Sequence, residues 1–562
     1  MKKLLTRRRS RTHFFLLLAL GIVAVAWPAL ADHDDPPGRV ARLSEIQGDV
    51  SFQPGGEDDW GWAGANRPLT TGDALWTEAN ARAELRVGSV AIRMGEETDL
   101  TFLDLDDDVI QLQLNSGSLY VTVRDLDRGE VLEVDTPTLA VTLLRAGSYR
   151  IDADPNGDFT SVAVREGESQ IAGGGRAYLV EAGSQATVEG TDYLDFSMYD
   201  LPSPDDLDRW SEARDRRAQH SEAARYLSDD ITGYEDLDGH GEWRSDPRLG
   251  PLWIPTSIGH GWMPFRNGYW SWIDPWGWTW IDNADWGFVT THYGRWVQLR
   301  GRWAWVPPRR ERGPRYARES RVVYCPATVT FLAGSTEDRV AWFPLGPGEV
   351  YVPAYHASTN YINQLNITNT HVDITFVQNI VRRPQERQFV HRREGAVIAV
   401  PKRVFLSAQQ VEREAVTVEA PVAARARVLQ AAPIAPTRES VLPRVKVQAT
   451  VSAPPPKPPS EVRTRRVVVK RTPPPRRVDV GRRIQAMQAE PGKPLDPGTV
   501  RGLRAEAPPP PAPTVQAPAP ATPPQSATVI PRKPQPERRR MIRRLGEPSS
   551  ARTAPPQAQA TP

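Results

Sequence analysis

From Val40 to about Val188 apolar and polar residues alternate with a period of two. The pattern is clear in Ala83-Glu84-Leu85-Arg86-Val87, Ile110-Gln111-Leu112-Gln113-Leu114, Leu119-Tyr120-Val121-Thr122-Val123 and Val131-Leu132-Glu133-Val134. Successive strand residues point to opposite faces, so each run presents one apolar face to a core. Between the runs lie Gly48-Asp49, Thr71-Gly72-Asp73, Val87-Gly88-Ser89, Asn115-Ser116-Gly117 and Pro155-Asn156-Gly157-Asp158, all residue types that favour turns. Many short strands at this spacing predict an all-β sandwich, barrel or β-roll over residues 40–190.

The period changes after Leu201. Ser203-Pro204-Asp205-Asp206 offers a cap, a first-turn proline and acidic residues against the helix dipole. Asp208 to Tyr226 then reads as a charged helix, with Leu207, Trp210, Ala213, Ala224 and Leu227 available for packing. Residues 201–230 are therefore expected to be a helical connector.

Aromatic residues dominate the next stretch. Trp243 to Trp305 holds twelve of the chain's 18 tryptophans. Period-two runs such as Tyr269-Trp270-Ser271-Trp272 and Trp276-Gly277-Trp278-Thr279-Trp280 place large rings on one strand face, and the intervening Gly, Asn, Asp and Pro supply hairpin turns. Trp272-Ile273-Asp274-Pro275-Trp276-Gly277 is echoed by Trp280-Ile281-Asp282-Asn283-Ala284-Asp285-Trp286-Gly287. A domain of short antiparallel hairpins over residues 233–405 is predicted. After Leu406 the composition turns to Pro, Ala and Arg, with 28 prolines in the last 122 residues. Such a segment buries too little apolar area to offset backbone ordering, so residues 406–562 are expected to be disordered, with polyproline stretches.

Two resemblances follow from these motifs. Gly48-Asp49-Val50, Leu69-Thr70-Thr71-Gly72-Asp73, Ala81-Arg82-Ala83-Glu84-Leu85, Asn115-Ser116-Gly117, Val134-Asp135-Thr136-Pro137, Ala146-Gly147-Ser148-Tyr149 and Val164-Arg165-Glu166-Gly167 occur in the order that resembles the FecR-type extracytoplasmic domain. FecR proteins that relay iron signals carry a cytoplasmic anti-sigma region and a membrane helix ahead of this domain. Here a signal-like segment precedes it, so the resemblance does not imply a sigma-factor role. The stretch from Gly233-Tyr234-Glu235-Asp236-Leu237 through Tyr293-Gly294-Arg295-Trp296 to Ala341-Trp342-Phe343-Pro344-Leu345-Gly346-Pro347-Gly348-Glu349 is similar to an uncharacterised Trp-rich domain that often follows a FecR-like domain in exported bacterial proteins. That resemblance implies an architecture and no mechanism.

Composition sharpens the picture in three places. Lys2, Lys3, Arg7, Arg8, Arg9 and Arg11 precede the apolar run Phe14 to Trp27 and the small-residue site Ala29-Leu30-Ala31, the pattern of an export signal over residues 1–31. Cleavage after Ala31 makes the protein periplasmic or secreted; retention of the segment anchors it in the inner membrane. The net charge of +2 hides a division: Arg39 to Asp200 carries 12 basic and 30 acidic residues, Val441 to Pro562 23 basic and 7 acidic. Cys325 is the sole cysteine of 562 residues, which excludes an internal disulfide and a cysteine-based metal cluster, and it reads as a small buried hydrophobe in a strand.

The candidate chemistry is sparse. Trp270, Trp272, Trp276, Trp278 and Trp280 either fill a core or form a platform that stacks on sugar rings or other ligands; on the platform reading these five are the ligand contacts. Asp274, Asp282 and Asp285 offer carboxylates for glycoside hydrolysis or, more simply, turn starts. His240, His260, His292, His356 and His371 lack the spacing of a zinc site, and Asp104-Leu105-Asp106-Asp107-Asp108 lacks the Gly and terminal Glu of a calcium loop. No Gly-x-Ser-x-Gly elbow or phosphate loop occurs. The sequence thus supports no catalytic, cofactor-binding or metal-binding residue. Its leading reading is a mainly β, non-enzymatic, exported cell-envelope protein that binds or scaffolds an envelope protein, a glycan or a polymer surface. The alternatives are FecR-type relay of an envelope signal to a membrane partner and a glycan-active enzyme. No nucleic-acid partner is expected. A membrane is met only through an uncleaved N-terminal segment or the basic tail, and the acidic front domain competes for that tail.

Overall fold

A 15-residue strand, Val109–Val123, runs through both sheets of the N-terminal unit. Its first part pairs antiparallel with Thr98–Leu105 and parallel with Val131–Asp135. Its second part pairs with Val90–Met94 and Gly147–Ala153. The bend between them falls at Asn115-Ser116-Gly117, where the register with Thr98–Leu105 shifts. Gly117 has φ +91°, and a Cβ there would lie 2.3 Å from the Thr98 hydroxyl oxygen. The sequence reading expected a turn between two strands at this point. A glycine bulge instead redirects one strand from sheet to sheet without reversing it.

The computed structural model describes residues 34–190, 194–308, 321–333, 338–383, 388–443 and 454–506. Seventeen strands between Ala41 and Asp200 build the N-terminal unit. Leu43, Phe52, Leu85, Ile92, Leu112 and Leu119 are among the residues that close the core between its two sheets. The expected mainly β architecture is therefore what the chain adopts. The export segment, residues 1–31, lies outside the described residues. Among the described residues no helix is long and apolar enough to cross a membrane.

The connector helix spans Asp206–Gln219, shorter than the periodicity predicts. Asp205 caps it, and Asp205 and Asp208 form a reciprocal capping box. Its packing is mostly ionic. Leu207 is buried but Ala213 is exposed, and the guanidinium groups of Arg82 and Arg214 lie over the Trp210 ring, 4.5 and 5.5 Å from its centroid.

Three hairpins form the first part of the Trp-rich unit: Gly241–Asp246 with Gly250–Pro255, Gly268–Ile273 with Gly277–Asp282, and Arg295–Leu299 with Arg302–Val306. The first and third join in a four-stranded sheet. A five-stranded sheet follows, built on Val329–Leu332, Arg339–Pro344 and Val397–Pro401. Its two edge strands, Val416–Val418 and Val428–Leu429, come from the region expected to be disordered.

That expectation needs a new boundary. Residues 406–443 and 454–506 carry ordered segments, whereas 444–453 and 507–562 lie outside the described residues. The physical reason is that this part of the chain builds no core of its own but completes two existing ones. Val467, Val468 and Val469 are buried, and the Val468 N–H donates to the Thr136 carbonyl at 2.9 Å. Val480 and Met487 join the tryptophan core.

Candidate functional site

Cross-strand pairing fixes the tryptophans of the central hairpin. Trp270 stands opposite Trp280 and Trp272 opposite Trp278, close enough for each ring to pack on its partner. All five expected contact residues are buried: Trp270 and Trp280 are 0% exposed, Trp272 1%, Trp276 3% and Trp278 5%. Trp342, Phe331 and Phe405 pack on Trp270, with ring centroids 5.1–5.3 Å away. Of the twelve rings between Trp243 and Trp305, only Trp243 and Trp262 are half-buried, and both are stacked or tilted against neighbours. The platform reading of Trp270, Trp272, Trp276, Trp278 and Trp280 is thereby corrected. The ring-bearing face meets the five-stranded sheet and the later chain, with the Trp278 indole N–H donating to the Ile434 carbonyl at 3.0 Å, and the opposite face is covered where the Ser271 hydroxyl donates to the Ser440 carbonyl at 2.6 Å.

The repeated Trp-Ile-Asp unit has a structural purpose. Residues two apart on a strand share a face, and in both copies the indole N–H donates to the carboxylate two residues on: Trp272 to Asp274 at 2.8 Å and Trp280 to Asp282 at 2.9 Å. Asp282 also accepts from the Ala284 N–H, and burial pushes its carboxyl up to about 6. The flanking glycine is forced, since a Cβ on Gly287 would lie 2.4 Å from Asp282. Asp274 sits at the turn end of the hairpin and Asp282 at its open end. Five residues at about 3.3 Å each separate them by roughly 16 Å, beyond the reach of a glycosidase carboxyl pair. Asp285 is exposed, and its backbone carbonyl accepts from Arg42.

The histidines and the cysteine are likewise dispersed. Among the described residues no group of three or more His, Cys, Asp or Glu is placed to hold a metal ion. Cys325 is buried, as expected, but in an irregular segment ahead of the strand that begins at Val329. Burial pushes its thiol up to about 12. His292 packs at a tilt against Phe288 and Tyr324, with centroids at 4.6 and 4.8 Å, and its Nδ1–H donates to the Cys325 carbonyl at 2.8 Å. Burial, aided by the nearby Arg42 charge, lowers its pKa to about 3. Because the folded value lies below the unfolded one, His292 contributes stability that is complete above about pH 6.5 and is lost as the pH falls towards about 3. Between pH 6.5 and 5 this amounts to about 2 kcal/mol. In thermal melts across that range, His292→Asn should lose less stability on acidification than the parent; parallel slopes would reject the assignment.

A polar seam locks the two β units together. Asn66, at φ +64°, donates from its amide to the Asp282 and Ala284 carbonyls at 2.9 and 2.7 Å. Arg42, 1% exposed, donates to Asn66 and to the Asp285 carbonyl and ion-pairs with Asp236. Arg67 donates to Ser271 Oγ and the Val441 carbonyl. Beside the seam, Glu84 binds Arg86, Arg93 and Arg214, while Arg86 also reaches Glu235. Burial opposes the Glu84 charge, but the three guanidinium groups outweigh it and hold the carboxyl well below its usual range.

The basic strap formed by residues 454–506 lies across the acidic unit. Arg463 reaches Thr101 Oγ1 and Gln53 and pairs with Asp99 at 3.6 Å. The Lys470 and Arg471 N–H groups donate to Glu133, and Arg483 ion-pairs with Asp274. Where the strap meets both β units it closes over a cavity of about 250 Å³. Arg39, Arg477, Arg483 and Arg504 line it, and none of these four was singled out from sequence. The usable signal was the β-branched run Val467-Val468-Val469, which marks the strap as a segment that docks.

Comparison with known proteins adds one family. Residues 234–349 match a family of unknown function, DUF6600. No curated protein matches the chain. Two crystal structures of a candidate anti-sigma factor from Parabacteroides distasonis ATCC 8503 are similar, at 15% and 13% identity and a TM-score of 0.21 each. Each similarity covers 25% of this chain and 63% or 64% of the other.

Proposed function

We propose that the protein is an exported cell-envelope scaffold without enzymatic activity, in which a FecR-like unit and the Trp-rich unit present a joint surface to another envelope protein. The observation that carries this reading is the seam from Arg42, Asn66 and Arg67 to the Trp hairpin. Polar side chains that bind the backbone of a second unit make two domains into one rigid body, which suits a fixed binding surface. The burial of all five expected contact rings favours a protein partner over a glycan, since stacking on sugars needs open aromatic faces. The indole partners of Asp274 and Asp282 favour a structural role for these carboxylates.

The test is fractionation and capture with the full chain carrying a C-terminal tag. The expected result is recovery outside the cytoplasm with residues 1–31 removed, and co-purification of a defined envelope protein that survives glycan digestion. Recovery in the cytoplasm with an intact leader would overturn export. Loss of the captured partner on glycan digestion would move the assignment to the glycan.

A further inference from the structure

The cavity under the strap has an unbalanced lining. Leu105, Pro275, Trp276 and Leu495 give it apolar walls, yet four guanidinium groups face one carboxylate, that of Asp274. Two of the four are matched: Arg39 pairs with Glu130 and Arg483 with Asp274. Arg477 donates only to the Asp274 carbonyl, at 3.4 Å, and neither it nor Arg504 has a carboxylate within ion-pair distance among the described residues. Asp73 is near Arg477, but its carboxylate already accepts from the Gly55 and Thr70 N–H groups and the Thr70 hydroxyl. Two lining nitrogens, Arg39 Nη2 and Arg504 Nε, are buried without a hydrogen-bond partner. Burial lowers the pKa of Arg477 and outweighs the opposing effect of Asp73, so the positive charge of that guanidinium is under-compensated.

A buried donor without an acceptor costs free energy, and a buried charge without a partner costs more. An anion in this space satisfies both. The volume holds more than a few waters, and apolar walls with a few convergent polar groups are the usual composition of a small-molecule site. We propose that the cavity binds a small amphiphilic anion, a carboxylate or phosphate head on a short apolar chain, with the head at Arg477 and Arg504 and the chain against Leu105 and Trp276. Arg477, Leu495 and Arg504 belong to the strap, whereas Leu105 and Trp276 belong to the two β units, so the ligand ties all three together. This goes beyond the scaffold role proposed above and does not depend on it.

Calorimetry on the full chain tests the site with four probes: octanoate, octyl phosphate, octanol and inorganic phosphate. Octanoate and octyl phosphate should bind, with octanol and inorganic phosphate each at least about tenfold weaker, because head and chain both contribute. A preference between the first two identifies the head group. Arg504→Gln, on the half-exposed last helix Pro497–Ala505, should keep the parent melting temperature and weaken octanoate about tenfold. Arg477→Gln should act in the same direction. Octanol binding as tightly as octanoate, or parent-like octanoate affinity in Arg504→Gln, overturns the proposal. Arg504→Gln protein that has lost octanoate binding but still captures the envelope partner separates this site from the scaffold reading. Octanoate binding with no captured partner leaves the site standing and removes the scaffold.

Discussion

Trp270→Ala should lower the unfolding free energy by about 3–5 kcal/mol, the range for deleting a large buried aromatic side chain. The ring is 0% exposed and in contact with Trp280, Phe331, Trp342 and Phe405. These neighbours come from the hairpin, the five-stranded sheet and a following helix, so no single element can relax into the hole. A second comparison isolates the polar part. The Trp270 indole nitrogen has no hydrogen-bond partner among the described residues, whereas that of Trp280 holds Asp282. Trp280→Phe should therefore cost about 1–3 kcal/mol more than Trp270→Phe, since it strands a buried carboxyl. Urea unfolding monitored by circular dichroism gives all three values. Tryptophan emission in the parent should be blue-shifted and resistant to acrylamide; readily quenched emission together with a parent-like Trp270→Ala melt would restore the exposed platform.

Glu84→Gln should cost a comparable amount, about 3–5 kcal/mol, by a different route. The substitution keeps shape and removes charge, leaving Arg86, Arg93 and Arg214 facing a neutral amide. Arg93 keeps Asp215 and Arg86 keeps Glu235, but Arg214 is left only Glu45, whose side chain is 28% exposed. Glu45→Gln is the control: the pair it breaks is partly solvated and should contribute about 0–1 kcal/mol. The two effects also differ in where they act. Arg214 and Asp215 lie on the connector helix, so Glu84→Gln should loosen Asp206–Gln219 and admit trypsin there before global unfolding. Equal stability of the Glu84 and Glu45 variants would show that the network is dispensable.

Strand alternation located the N-terminal β unit, and period-two tryptophans located the second and third hairpins, because both depend on local periodicity. The same reading missed the course of Asn115-Ser116-Gly117. A glycine permits both a reversal and a bend, and only the pairing of Val109–Val123 with strands on either side selects the bend. The connector helix is legible from Ser203-Pro204-Asp205-Asp206, but not that Asp205 is its cap, nor its docking, since Arg214 finds Glu84 across 130 positions of sequence. The order of residues 406–443 and 454–506 is illegible in the sequence for a related reason. Composition asks whether a segment can bury its own apolar residues, and Val468 docks on Thr136 while Met487 joins the tryptophan core, both formed hundreds of positions away.

The sequence by itself determined the mainly β class, the presence of hairpins, a helical connector after Leu201 and the division between an acidic front and a basic back, since each follows from local pattern or simple charge. Only the tertiary structure decided which way the tryptophans face. A period-two run defines a face but not its surroundings, and here Trp342, Phe405 and the chain around Ile434 together cover that face and turn it into a core. The tertiary structure likewise decided that Arg39 meets three arginines of the strap, Arg477, Arg483 and Arg504, because convergence in space leaves no trace in spacing along the chain.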